Sequence, residues 1–79
     1  MALELFREMK LACDLQEHHL RKGDVVKPVD RHIAPDDTEG YSIEVFNALG
    51  EKIAVTAVPI SALEALRQDE VLCARPLVQ

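Results

Sequence analysis

The side chains in this sequence that could do chemistry are three imidazoles, two thiols, two serines near carboxylates and one acidic loop. His18 and His19 are adjacent, and His32 lies further along. Imidazole suits zinc, copper or nickel, and a site needs about three or four converging ligands. Neighbouring residues on an extended segment point to opposite sides, and on a helical turn they diverge by about 100°. His18-His19 therefore reads as part of a polar connection, with solvated or capping imidazoles. Glu17 and Asp30 are candidate carboxylate ligands, but so acidic a chain offers many. Asp36-Asp37-Thr38-Glu39-Gly40 has the composition of a calcium loop without its alternating oxygen ligands or its terminal bidentate glutamate. It reads as a solvated loop. No metal and no cofactor is expected.

Nucleophilic catalysis needs a serine or cysteine beside a base that is itself oriented. Ser42 falls in an alternating strand and Ser61 at a helix start, while Cys13 and Cys73 sit in apolar company that disfavours a thiolate. The three glycines are isolated turn residues and form no phosphate cradle. The chain is therefore not expected to be an enzyme. The basic residues Arg21, Lys22, Lys27 and Arg31, with His32, gather around the second strand, but Asp24, Asp30 and the acidic loop dilute them. Only Phe6, Tyr41 and Phe46 supply rings for stacking on bases. The net charge is −5, with acidic residues in excess in both halves. Binding to nucleic acid or to anionic membranes is therefore disfavoured.

The elements that would position these groups are mostly strands. Residues 8–13 alternate, with Met9, Leu11 and Cys13 on one face. Residues 14–22 form a polar connection with room for a short helical turn, Leu15 and Leu20 pointing inward. The Lys22-Gly23-Asp24 turn opens a second strand over residues 24–33. Pro28 makes that strand either an edge or bulged, because proline cannot donate to a ladder. Residues 34–40 are a turn-rich loop. Tyr41, Ile43 and Val45 share one face of the next strand, and Asn47-Ala48-Leu49-Gly50 is a hairpin turn. Residues 51–59 form a strand apolar on both faces, Ile53, Val55 and Ala57 against Ala54, Thr56 and Val58. It is expected to be central or covered by a partner. Ser61 and Glu64 have the spacing of a capping box, and a helix over residues 61–72 is a weaker option. The order predicts a mainly β fold, a small antiparallel SH3-like barrel with a short helical turn near the C-terminus. Its core is expected to hold Met9, Leu11, Val25, Ile43, Val45, Ile53, Val55 and Leu63. The barrel domain would span residues 1–66, and residues 67–79 would form an apolar tail.

The 79 residues allow one domain. A chain of this length buries only about 60–65% of the surface its unfolded form exposes. Small cores often rely on disulfides, metals or association. The two cysteines are expected to be buried thiols; a disulfide between the termini has no support in the sequence. No apolar run approaches the roughly 20 residues of a membrane span. Glu4, Arg7 and Glu8 interrupt any signal-peptide pattern, so a cytoplasmic location is expected.

Leu5-Phe6, Leu20 with Gly23-Asp24-Val25, Gly40-Tyr41 with Glu44-Val45-Phe46, Gly50, Ile53-Ala54-Val55, Pro59 and Leu63 occur in an order that resembles a family of small bacterial domains, domain-of-unknown-function family 4926. The resemblance covers roughly residues 3–66. It implies an SH3-like barrel and no mechanism, since no activity is established for the family. Val26 stands where members usually carry a second glycine, Pro28 where a β-former is usual, and residues 67–79 run past the usual end.

These observations lead to the expectation of a noncatalytic protein-binding module. It would act on itself, as a dimer or a tetramer of dimers, or on a neighbouring protein, and by analogy it would be antitoxin-like or immunity-like. The alternatives are an accessory subunit of a larger enzyme and a nucleic-acid-binding barrel. Val58, Val71, Leu72 and Leu77 are the expected interface residues: Val58 belongs to the strand apolar on both faces, and a core closed by Leu63 and Leu66 leaves the tail residues Val71, Leu72, Leu77 and Val78 no place.

Overall fold

The computed structural model describes residues 4–77. Its strands are β1 (Met9–Leu11), β2 (Val25–Ile33), β3 (Glu39–Phe46), β4 (Lys52–Pro59) and β5 (Leu63–Ala65). They form one antiparallel sheet in the order β4-β3-β2-β1-β5. A 3₁₀ turn, Ile60–Ala62, carries the chain from β4 across to β5, which pairs with β1. This is the SH3-like arrangement expected from the sequence. Residues 1–3 and, in the tail, Val78 and Gln79 lie outside the described residues. Among the described residues no helix is long and apolar enough to cross a membrane.

Each hairpin forms for a local reason. Asp24 N–H bonds to Arg21 O at 3.0 Å, and Gly23, at φ 94°, occupies the position of this turn that needs a positive φ. The Asp24 carboxylate accepts the Arg21 N–H at 2.8 Å. The polar connection folds back on itself around the 3₁₀ turn Gln16–His18, so that Leu15 bridges to Leu20 and Leu20 is buried. At the β3–β4 turn Asn47 Oδ1 accepts the N–H groups of Leu49 and Glu51, and Gly50 takes φ 84°.

β2 carries its proline next to a bulge, at a point where β1 no longer pairs with it. Lys27 pairs with Glu44 and Pro28 with Ile43, then Asp30 pairs with Ser42, which leaves Val29 as the extra residue. β1 pairs with β2 only at Val25 and Val26. Pro28 therefore lies beyond that ladder, where its carbonyl takes the Phe6 N–H at 2.7 Å.

The core contains Met9, Leu11, Ile43, Val45 and Leu63, as expected, with Leu20, Val26, Tyr41, Val58 and Ala62. Three expected members are corrected. Val25 is half-buried and Val26 points inward in its place. Ile53 is 38% exposed and Val55 55% exposed. The cause is a second bulge. Phe46 pairs with Lys52 but Val45 pairs with Ala54, so Ile53 is skipped and Ala54, Thr56 and Val58 face Val45, Ile43 and Tyr41. A shift of one residue sends every side chain of a strand to the other face. β4 is also not central: it pairs with β3 alone and is an edge of the sheet.

Other expectations also change. Cys13 and Cys73 are free and exposed, because β1 stops at Leu11 and Cys73 lies on the surface of the tail. The Ser61-Glu64 capping box does not form, and the helix over residues 61–72 is replaced by the 3₁₀ turn and β5.

The inversion of β4 has a measurable consequence. Ile43→Ala is expected to cost about 2–5 kcal/mol of unfolding free energy. Val55→Thr should stay within about 0.5 kcal/mol, as for an exposed site. Urea denaturation of both variants measures the difference, and a loss at Val55 comparable to that at Ile43 would place Val55 inside.

Candidate functional site

After β5 the chain turns through Arg67-Gln68-Asp69-Glu70 and runs back along the barrel. Arg67 stabilises the turn: its N–H bonds to Glu70 Oε1 at 2.7 Å and its guanidinium to Asp69 at 3.0 and 3.1 Å. Two ion pairs then hold the segment at its ends. Glu70 pairs with Lys10 of β1. Arg75 grips Asp24 through two nitrogens, with Nε to Oδ1 at 3.0 Å, and also donates to His19 O at 3.1 Å. Two parallel bonds between guanidinium and carboxylate fix orientation as well as position. The strap between the pins, Val71 to Ala74, is exposed, with Val71 at 85% and Leu72 at 61%.

Beneath and beside this strap is an open groove of about 1020 Å³. Leu11, Val25 and Val45 contribute to its lining from the barrel, and Phe46, Leu49 and Ile53 from the β3–β4 hairpin. Val71 and Leu72 line it from the strap, and Leu66 and Leu77 from the chain on either side of it. Six of the nine exposed large hydrophobic residues among those described meet here; Phe6, Ile33 and Val55 lie elsewhere. Apolar residues scattered singly are normal on a protein surface; these six are grouped on one groove.

The charges around the groove are unevenly matched. Its rim carries Glu8, Lys10, Lys22, Asp24, Glu64, Glu70 and Arg75. Lys10 and Arg75 are committed to Glu70 and Asp24. Burial raises the Asp24 pKa, but the Arg75 hydrogen bond, the Arg21 N–H and the positive charges of both arginines outweigh it and hold the group below its ordinary value. The Lys10 hydrogen bond and the Arg67 N–H likewise lower Glu70.

The residues singled out from the sequence do not gather at one place. His18 lies on the 3₁₀ turn Gln16–His18, His19 follows it at φ 60°, and His32 shares a 2.6 Å hydrogen bond with Ser42 Oγ. Among the described residues no group of three or more His, Cys, Asp or Glu side chains could hold a metal. In the acidic loop Asp36 accepts the Thr38 N–H, while Glu39 is occupied by Arg31 and the Tyr41 hydroxyl. Of the basic residues, Lys27 stands 5.4 Å over the Phe46 ring and Arg31 bonds to Glu39, while Arg21 and Lys22 sit in the turn before β2.

Of the expected interface residues, Val71, Leu72 and Leu77 line the groove, but Val58 is 5% exposed and belongs to the core. The ion pairs that pin the strap were not legible in advance, since their partners are 60 and 51 residues apart. Leu49, an apolar residue at the tip of a hairpin turn, was the visible sign of the groove's other wall.

The pinning pairs carry a pH signature. Asp24 titrates lower in the folded chain than in the unfolded one, so its contribution is full above the unfolded value and lost as pH falls through the folded one. The Arg75 Nε–H proton resonance is expected to move as the pH drops below the ordinary aspartate range, and not to move there in Asp24→Asn. At neutral pH Asp24→Asn and Arg75→Ala should each speed tryptic cleavage after Arg67 several-fold.

No family model, no curated protein and no solved structure matches this chain.

Proposed function

We propose that this chain is a noncatalytic protein-binding module whose groove receives an apolar polypeptide segment flanked by basic residues. The observation that carries the proposal is the convergence of Phe46, Leu49, Ile53, Val71, Leu72 and Leu77 on one groove. Large side chains left in water cost free energy that a contacting partner recovers. Once the pinning pairs are formed, Glu8, Glu64 and Lys22 remain on the rim with a net charge of −1, and the chain carries a net charge of −5, so positive charge on the partner is favoured. The strap is held by polar pins at its two ends and offers its apolar side chains between them, so a partner can pack against it without breaking the barrel. A cytoplasmic setting belongs to the same proposal. Two free, exposed cysteines are compatible with a reducing compartment.

Selection of a displayed library of random peptides against the full chain tests this reading. Enriched sequences are expected to combine aliphatic or aromatic residues with Lys or Arg. Their binding should fall by more than tenfold in Leu72→Asp, whose side chain is on the exposed strap. No enrichment, or enrichment that Leu72→Asp leaves untouched, would overturn the proposal.

A further inference from the structure

β4 is the longer of the two edges of the sheet, and its middle is unguarded. Edge strands are normally blunted by charge, proline or a bulge. Here those devices stand only at the two ends, with Lys52 and the Ile53 bulge at one and Pro59 at the other. Between them the run Ile53-Ala54-Val55-Thr56-Ala57-Val58 has no charge, and four of its six residues are β-branched. Val55 points away from the core and is 55% exposed.

The prolines reveal which backbone groups face the open side. Pro59 pairs with Gly40 and has no N–H, so its nitrogen points away from β3. Direction alternates along a strand, which turns the N–H and C=O groups of Val55 and Ala57 toward the edge and those of Ala54, Thr56 and Val58 toward β3. Pro28, paired with Ile43 on the other side of β3, requires the same phase.

We propose that the β4 edges of two copies of this chain pair antiparallel about a two-fold axis at Thr56, making one sheet that runs through both. The proposal rests on the reading of the chain as a protein-binding module and names a second copy as the partner at the edge beside the groove. In this register Val55 lies opposite Ala57 of the second copy, and the four edge-facing residues of the pair satisfy one another's N–H and C=O groups. The charges also fit. Across each copy the row Lys27, Glu44, Val55 leads to the edge, and Lys52 bonds back to Glu44 at 2.9 Å. Antiparallel pairing sets the Lys52 end of one copy against the apolar Pro59–Ile60 end of the other, whereas parallel pairing would stack the two Lys52–Glu44 pairs. The contact is self-complementary, so it closes at two copies.

Sedimentation velocity of the full chain at high micromolar concentration tests the contact. The wild type is expected to be a dimer, Leu72→Asp to remain one, and Val55→Lys to be a folded monomer by circular dichroism. A monomeric wild type, or a dimer that survives Val55→Lys, would overturn the proposal. A dimer lost only in Leu72→Asp would also overturn it, while leaving the groove as a protein-binding site. The axis has its own test, in a chain with Cys13 and Cys73 replaced by serine. Directly opposed residues of a non-hydrogen-bonded pair have Cα atoms about 4.5 Å apart, within disulfide reach. Thr56→Cys should therefore give a covalent dimer under mild oxidation and Glu64→Cys should not. A dimer in which Thr56→Cys fails to cross-link contradicts the register.

Discussion

The interior of this barrel accepts one face of each strand, and β3 sets which face that is. Tyr41 and Ile43 are fully buried and Val45 nearly so. Whatever pairs with them must present its opposing side chains to the same space. On one side β2 meets this demand with Val26 and Pro28, and on the other β4 meets it with Ala54, Thr56 and Val58. A small barrel has no second interior, so the remaining apolar side chains of β4 are left outside. The exposed surface follows from the way the core is filled.

That surplus is organised rather than scattered. The bulge that skips Ile53 places it beside Phe46 and Leu49, at the mouth of the groove that the strap completes. The strap is positioned by charge. Asp24 belongs to the turn that opens β2, accepts the N–H of Arg21 and is gripped by Arg75 from the other end of the chain. One carboxylate thus ties the fold of the first hairpin to the position of the last segment. Lys10, on the outward face of β1, anchors the other end. Neither pair is deeply buried, so each fixes position more than it adds stability.

The fold class was legible because alternation is unambiguous wherever one face is polar. Met9-Lys10-Leu11 and Tyr41-Ser42-Ile43-Glu44-Val45 gave the correct inward faces for this reason. The glycine turns at Gly23 and Gly50 were legible from residue type, since both take a positive φ. β4 was not legible, because Ile53, Val55 and Ala57 alternate with side chains nearly as apolar, and only the pairing register separates the two sets. Val25 and Val26 pose the same problem at β2. The cysteines were misread as buried because apolar neighbours in sequence say nothing about where a strand stops. Leu72 and Val71 were legible as surplus, but their position over a groove depends on Asp24 and Lys10, which nothing near them in sequence announces.

Both the core and the exposed groove depend most on the register between β3 and β4. Nuclear Overhauser spectra read it directly, because the α-protons of non-hydrogen-bonded antiparallel pairs lie close together. Strong contacts are predicted between the α-protons of Glu44 and Val55 and between those of Ser42 and Ala57. Contacts moved by one residue along β4, such as Glu44 with Ala54, would turn Val55 into the core, remove Ile53 from the groove and contradict the account.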